Sequence, residues 1–256
     1  MATILHNRAV PFGRIIFAGS LLLSCISVFS GQFCVAAAPE QRRQFVNYEL
    51  LLNASQLNKY EEYDKALTLL NRYISMNKDD ARAYYQRAVA YRSQEKYDQA
   101  ISDLNSALKL KPLYEAALYE RARTFENMGH SEKAIPDYTS CLKITPADND
   151  TVSHRAAAFA RIKQYQKAID DYTTIIKRVP EDEDSLRSRG DVYYQMGNYK
   201  QAVRDYTESI KQQNDVALTY NSRAMAYLKL GNKDAAARDF AKARELGYVE
   251  HNQQPR

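Results

Sequence analysis

Small and large apolar residues recur along this chain with a period of 34. Small residues occupy Ala54, Ala88, Ala122, Ala156, Gly190 and Ala224, and twelve positions further on Ala66, Ala100, Ala134, Ala168, Ala202 and Ala236. Large apolar or aromatic residues stand three or four positions from these, at Leu57, Tyr91, Phe125, Phe159, Tyr193 and Tyr227, and at Leu70, Leu104, Tyr138, Tyr172, Tyr206 and Phe240. That spacing puts each small and large pair on one side of a helix, so every period holds two helices that approach closely where the small columns meet. Between the stripes lie turn signals, Asn127-Met128-Gly129 and Met196-Gly197-Asn198 among them, and Pro112, Pro146 and Pro180 recur where a helix must stop. Each period therefore predicts a helical hairpin.

Six such units follow one another without insertion or deletion, at 47–80, 81–114, 115–148, 149–182, 183–216 and 217–250. A two-helix unit cannot bury both its own seam and its outer flank, so the hairpins must stack side by side. The expected fold is all-α, a right-handed superhelical solenoid of antiparallel hairpins with one concave and one convex surface. The run from Ala81 through Tyr84, Ala88 and Tyr91, continued by Tyr97, Ala100, Ala107 and Pro112, closely resembles the tetratricopeptide repeat family, and six units match it over about four-fifths of the chain.

Charge adds a second periodic feature. Arg87, Arg121, Arg155, Arg189 and Arg223 each precede an aspartate by sixteen residues, at Asp103, Asp137, Asp171, Asp205 and Asp239. In an antiparallel hairpin, facing residues share a constant index sum, and these pairs fall within one helical step of the sum set by Ala88 and Ala100. Each arginine is thus expected to meet the aspartate of its own hairpin, as a structural pair and not as a ladder for anionic ligands. Unit one has Asn53 and Leu69 instead, so both partners vanish together.

The last unit departs from the pattern in two other columns. Leu67, Ile101, Ile135, Ile169 and Val203 give way to Ala237, and Ile74, Leu108, Leu142, Ile176 and Ile210 give way to Arg244. These columns read as the flank that packs on the next unit, and the stack is expected to end here, with Gly247 closing the final helix and 251–256 as a polar tail. Pro136, a few residues inside a second helix, predicts a shortened or kinked start there.

Ahead of the repeats, residues 1–14 carry Arg8 and Arg14 and no acid, and no charge follows until Glu40. Val35-Ala36-Ala37 supplies small residues for a signal peptidase, so 1–37 reads as an export signal cut after Ala37, with 38–46 a linker. Two alternatives stay open: an uncleaved anchor across Ile15–Ala38, and a lipoprotein modified at Cys25 behind Leu22-Leu23-Ser24. Removing 1–37 takes two positive charges from a net +5 and leaves +3, too little for a nucleic-acid-binding machine. Cys141 is then the single cysteine, in a column filled elsewhere by Ala107 or Ala243, and reads as a small buried hydrophobe.

Catalytic chemistry finds no pattern. His6, His130, His154 and His251 are too scattered to gather a metal, and no phosphate loop, nucleophile elbow or His-Glu-x-x-His is present. No cofactor and no enzyme activity is expected. Of two glycosylation triplets, Asn53-Ala54-Ser55 is read as lying on a packed face, which leaves Asn149 as the candidate acceptor.

Resemblance to the family implies that a peptide or partner helix lies along the first helix of each unit. The matching positions in units two and three give a candidate partner-binding patch of Arg82, Tyr85, Val89, Arg92, Tyr119 and Arg123, arginines interleaved with tyrosine that would suit carboxylates and extended backbone. The Lys and Asn set by which chaperone adaptors of the family clamp a C-terminal carboxylate is not matched, since Tyr85, Gln86 and Val89 stand in its place. The function expected is an exported, non-catalytic scaffold binding a protein or peptide in its groove, in the periplasm, the cell envelope or outside the cell. The alternatives are an envelope-assembly lipoprotein tethered through Cys25, and a binding module accessory to a separately encoded transferase.

Overall fold

The structure, a computed structural model, describes residues 39–249. The expected export signal with its cut site, Cys25 and the expected polar tail lie outside the described residues. Within them the chain forms twelve helices and no strand: α1 (Pro39–Lys59), α2 (Tyr63–Met76), α3 (Ala81–Ser93), α4 (Tyr97–Leu110), α5 (Glu115–Asn127), α6 (Ser131–Ile144), α7 (Asn149–Arg161), α8 (Tyr165–Arg178), α9 (Glu183–Gln195), α10 (Tyr199–Gln212), α11 (Ala217–Lys229) and α12 (Lys233–Glu245).

Each odd helix packs on the even helix that follows it, and each even helix packs on the next odd one, so six hairpins stack in chain order. First helices of neighbouring hairpins also touch, α1 with α3, α3 with α5, α7 with α9 and α9 with α11, whereas even helices do not meet in this way. Neighbours approach more closely on the inside of a curved stack, so the odd helices line the concave face. The looser neighbours on that face are α5 and α7.

The core is a series of small clusters and has no single centre. Leu50, Ala54, Ala66, Leu70, Tyr73 and Ile74 of the first hairpin are closed by Ala83 of the second. Leu104, Leu108 and Ala107 are joined in the same way by Ala117 and Leu118 of the third. A fully buried leucine such as Leu104 contributes about 1.5–3 kcal/mol, and much of this depends on the adjoining unit being present.

The turn inside every hairpin uses one backbone device. The second residue past the first helix has positive φ in all six units: Glu61 (62°), Glu95 (59°), Gly129 (78°), Lys163 (59°), Gly197 (80°) and Gly231 (78°). The next amide donates back to the carbonyl of Leu57, Tyr91, Phe125, Phe159, Tyr193 or Tyr227, at 2.8–2.9 Å, which closes the helix end. Helix starts are fixed by side chains at α3 and α7, where Asp80 accepts from the Arg82 amide and Asp148 from the Asp150 amide.

Both ends of the stack carry their own signature. At the C-terminal flank Ala237 and Arg244 are exposed, and α12 ends at Glu245 ahead of Gly247, whose φ is +87°. At the N-terminal flank, two first-helix columns buried between units elsewhere, Ala83/Ala117/Thr151/Ser185/Thr219 and Ala90/Thr124/Ala158/Val192/Ala226, become Glu49 and Gln56, both exposed.

Three sequence expectations need correction. Residues 39–46 do not form a linker but continue α1, with Pro39 at the first helical position, where its missing N–H costs nothing. Helix α6 is not shortened by Pro136. It keeps the fourteen residues of its counterparts α4, α8 and α10, because the proline sits on an exposed side and gives up one backbone bond while the hairpin contacts hold. Asn53 is exposed and not packed, because no preceding hairpin covers that flank.

Candidate functional site

The arginine and aspartate columns form five two-bond forks, each inside one hairpin. Arg87 donates from Nε and Nη2 to Asp103 at 2.7 and 2.7 Å, Arg121 to Asp137 at 2.7 and 2.8 Å, and Arg155 to Asp171 at 2.9 and 2.7 Å. Arg189 reaches Asp205 at 2.8 and 2.9 Å, and Arg223 reaches Asp239 at 2.7 and 2.8 Å. The aspartates are buried, and each guanidinium is largely covered. Its bonds to Asp103 hold the Arg87 guanidinium above the usual arginine range, against the opposing pull of burial.

A third arm escaped the sequence analysis. The remaining Nη1 of each arginine donates to the second helix of the preceding hairpin, to Asn71 and Asn105 at 2.7 Å, Thr139 at 3.4 Å, Thr173 at 3.0 Å and Thr207 at 3.1 Å. The signal was present, since this column ends in Ala241, where no arginine follows to use it. The ladder thus stitches hairpin to hairpin, and its donors are occupied.

The concave face is different. Of the three arginines expected to receive a carboxylate ligand, Arg82 forks onto Asp80 of its own chain, with Nε–Oδ1 3.0 Å and Nη2–Oδ2 2.7 Å. Arg92 pairs with Glu120 across the unit boundary. Arg123 lies over the Tyr119 ring at 5.9 Å. Val89 is half-buried, and Tyr85 is tilted against Tyr114 with centroids 5.3 Å apart. The structure brings Tyr85 and Tyr119 to one hollow of about 370 Å³, completed by Glu115, Ala116, Asp148, Asp150 and Thr151, and leaves the arginines outside its lining. It spans the first helices of three hairpins, α3, α5 and α7. Tyr119 donates its hydroxyl to Asp150, and burial together with that carboxylate pushes its phenol well above the usual range. The chemistry of this hollow is aromatic and acidic, the reverse of what arginine spacing suggested.

Beside the hollow, Glu126 accepts from Tyr138, His154 (3.1 Å) and Arg161 (2.6 Å), with the Tyr138 and His154 rings stacked at 5.7 Å. Burial pushes the Glu126 carboxyl up, but the bonds from His154 and Tyr138 and the nearby positive charges outweigh it and leave it below the usual glutamate range. A second hollow of about 240 Å³ lies at the fifth and sixth hairpins, between Tyr194, Tyr206, Asp191 and Asn221. Cys141 is buried with its thiol pushed up to about 12, chiefly by burial, and its sulfur faces the Glu115 carbonyl at 3.6 Å. Asn149 opens α7 and accepts from Arg178 at 2.9 Å. Among the described residues no group of His, Cys, Asp and Glu could hold a metal, and no helix is long and apolar enough to cross a membrane.

Comparison with known proteins agrees with this geometry. Models of the tetratricopeptide repeat match residues 81–114, 115–148 and 217–246, and a TPR repeat model matches 190–231. No curated protein matches the sequence. Among solved structures, the C-terminal part of a TPR repeat-containing protein from Cytophaga hutchinsonii superposes with a TM-score of 0.68 at 19% identity, covering 77% of this chain and 78% of that one. MamA gives 0.59 at 24% identity, over 62% of this chain and 93% of that chain. YrrB, described as a TPR protein with an unusual peptide-binding site, gives 0.59 at 17% identity, over 70% and 92%. With twelve helices among the described residues stacked as six 34-residue hairpins, and its models matching the second and third hairpins and most of the fifth and sixth, the chain belongs to the tetratricopeptide-repeat family.

Proposed function

We propose that this protein is an exported, non-catalytic scaffold that holds a peptide segment of a partner protein along its concave face, centred on Tyr85 and Tyr119. One observation carries the reading: the hollow bounded by these rings crosses three consecutive first helices at the loosest point of the concave face. An extended segment laid across the helices would touch each unit in turn. The flanks between hairpins are spent on stacking, and the arginine ladder on its own aspartates, so neither is available to a ligand. YrrB, of the same fold, is described as having a peptide-binding site.

The apolar, uncharged stretch that follows Arg8 and Arg14 supports export to the periplasm, the envelope or the medium. A photocrosslinking residue at position 85, compared with one at the exposed Lys109 on α4, tests the groove in cells. Adducts at position 85 alone are expected, and equal labelling at both positions would defeat the assignment. Mass spectrometry of the extracytoplasmic protein reads the export step. A chain beginning at Ala38 is expected, while lipid labelling that disappears in Cys25→Ala would replace release by tethering.

A further inference from the structure

We propose that the hollow between Tyr85 and Tyr119 receives a basic side chain, arginine or lysine, from the bound segment; this rests on the groove reading above and adds the chemistry of the ligand.

Its walls are aromatic and its polar lining is carboxylate. Glu115, Asp148 and Asp150 all border the space, and none of them forms an ion pair with a lysine or arginine among the described residues. By contrast, the buried or largely covered carboxylates of Asp80, Asp103, Glu120 and Glu126 each hold an arginine. Asp148 is occupied in part, capping α7 by accepting from the Asp150 amide and the Thr151 hydroxyl. Asp150 is the open acceptor. Its side chain is 69% exposed, one oxygen takes the Tyr119 hydroxyl, and the other has only His154 Nε2, at 3.9 Å.

The cations nearby are already committed. Arg82 is forked onto Asp80, Arg92 is paired with Glu120, Lys111 lies over the Tyr114 ring at 4.7 Å and Arg123 over that of Tyr119 at 5.9 Å. An incoming carboxylate would therefore meet three uncompensated like charges. An incoming guanidinium or ammonium would meet those charges with opposite sign, beside the Tyr85 ring, over which no cation of the described residues lies. Burial, followed by the nearby Glu120 and Tyr114, raises the Tyr85 phenol, so the ring stays neutral well above neutral pH.

The test uses the full chain and immobilised extended peptides with randomised flanks around a fixed centre of arginine, glutamate or norleucine. The arginine set is expected to bind about tenfold tighter than either other set, with binding weakened by salt. Asp150→Asn, at an exposed side chain, is expected to keep the wild-type circular dichroism spectrum and to remove most of that preference, and Tyr85→Ala to weaken all binding. Glutamate or norleucine peptides that bind as well as arginine, and lose binding in Tyr85→Ala, would overturn the basic ligand while keeping the groove. Arginine peptides bound equally by wild type, Asp150→Asn and Tyr85→Ala would move the site elsewhere. Absence of any peptide binding would also overturn the basic ligand, and crosslinking at position 85 would then decide the groove separately.

Discussion

Arg121 holds Asp137 with two parallel hydrogen bonds of 2.7 and 2.8 Å and reaches Asn105 in the preceding hairpin with a third, of 2.7 Å. One side chain therefore fixes the seam of its own unit and the joint to its neighbour. Asp137 is buried, so Asp137→Ala leaves a covered guanidinium without its counter-charge and is expected to cost about 3 kcal/mol. Asn105→Ala, which removes only the joint, is expected to cost about 1 kcal/mol. Urea denaturation of Arg121→Ala, Asp137→Ala and the double variant measures the coupling. Additive losses would show that the fork contributes nothing beyond its separate members.

How much of this could be read from the sequence depended on whether a feature repeats. The hairpins were legible because Ala88, Ala100 and their counterparts impose the same close approach six times, and the forks because arginine and aspartate appear and vanish together. The joint to Asn105 left its trace in a column that closes with Ala241, but its residues change between Asn and Thr and its partner arginine lies in the next unit, so the pattern within one unit does not show it. The start of the stack was also written there, in Glu49 and Gln56. The groove was not. Arg92 and Glu120 lie 28 residues apart in different units, in columns that pair Asn58 with Gln86 and Glu126 with His154, and Arg82 turns back onto Asp80; the residue types change from unit to unit, so no constant pair announced that those charges were taken.

Gly190 stands where the five other units carry alanine before an aromatic or leucine partner. A methyl group added there would lie 2.8 Å from Tyr206 Cε1 and 2.9 Å from Cδ1. Tyr206 cannot easily yield, being 1% exposed and donating to Asp191 at 2.7 Å. Overpacking of about 1–3 kcal/mol then exceeds the helix-propensity gain of about 1 kcal/mol, so Gly190→Ala is expected to lower stability by about 1 kcal/mol. In a Tyr206→Leu background, which reproduces the Ala88 and Leu104 of the second hairpin, the same change is expected to stabilise. A gain in the wild-type background would show that the ring moves aside.

Glu95 and Lys163 hold φ of +59° at the turn where three other hairpins use glycine. A left-handed residue with a Cβ costs roughly 1–2 kcal/mol, partly offset by the extra freedom glycine has in the unfolded chain. Glu95→Gly and Lys163→Gly are each expected to stabilise by about 0.5–1 kcal/mol, read as a higher denaturation midpoint at unchanged slope. Gly129→Ala, with open space around it but φ of +78°, is the converse and is expected to destabilise by a similar amount. Glycine variants no more stable than wild type would mean that the turn relaxes around its side chains.

Cys141 is 1% exposed and its thiol is raised to about 12, so almost no thiolate is present at neutral pH. Iodoacetamide is expected to leave it unmodified in the folded protein and to alkylate it completely in urea, followed by the mass of the fragment that contains it. Rapid native labelling would place the sulfur at the surface and remove the buried-hydrophobe reading.

Glu126 offers a test of the concave network through pH. Its carboxyl is held below the usual glutamate range when folded, by His154, Tyr138 and Arg161 acting against burial, and returns to that range when the chain unfolds. A depressed folded value means that the carboxylate stabilises the fold above the unfolded pKa, and that this contribution is lost as pH falls through the folded one. Glu126→Gln removes the titration while keeping an acceptor for Tyr138 and a similar shape. The stability difference between wild type and Glu126→Gln is therefore expected to be constant at neutral pH and to shrink steadily as pH drops below the ordinary glutamate range. Denaturation midpoints measured across that range give the answer directly: a gap of the same size at both ends would mean that Glu126 titrates alike in the folded and unfolded chain, and that its three partners contribute shape without charge.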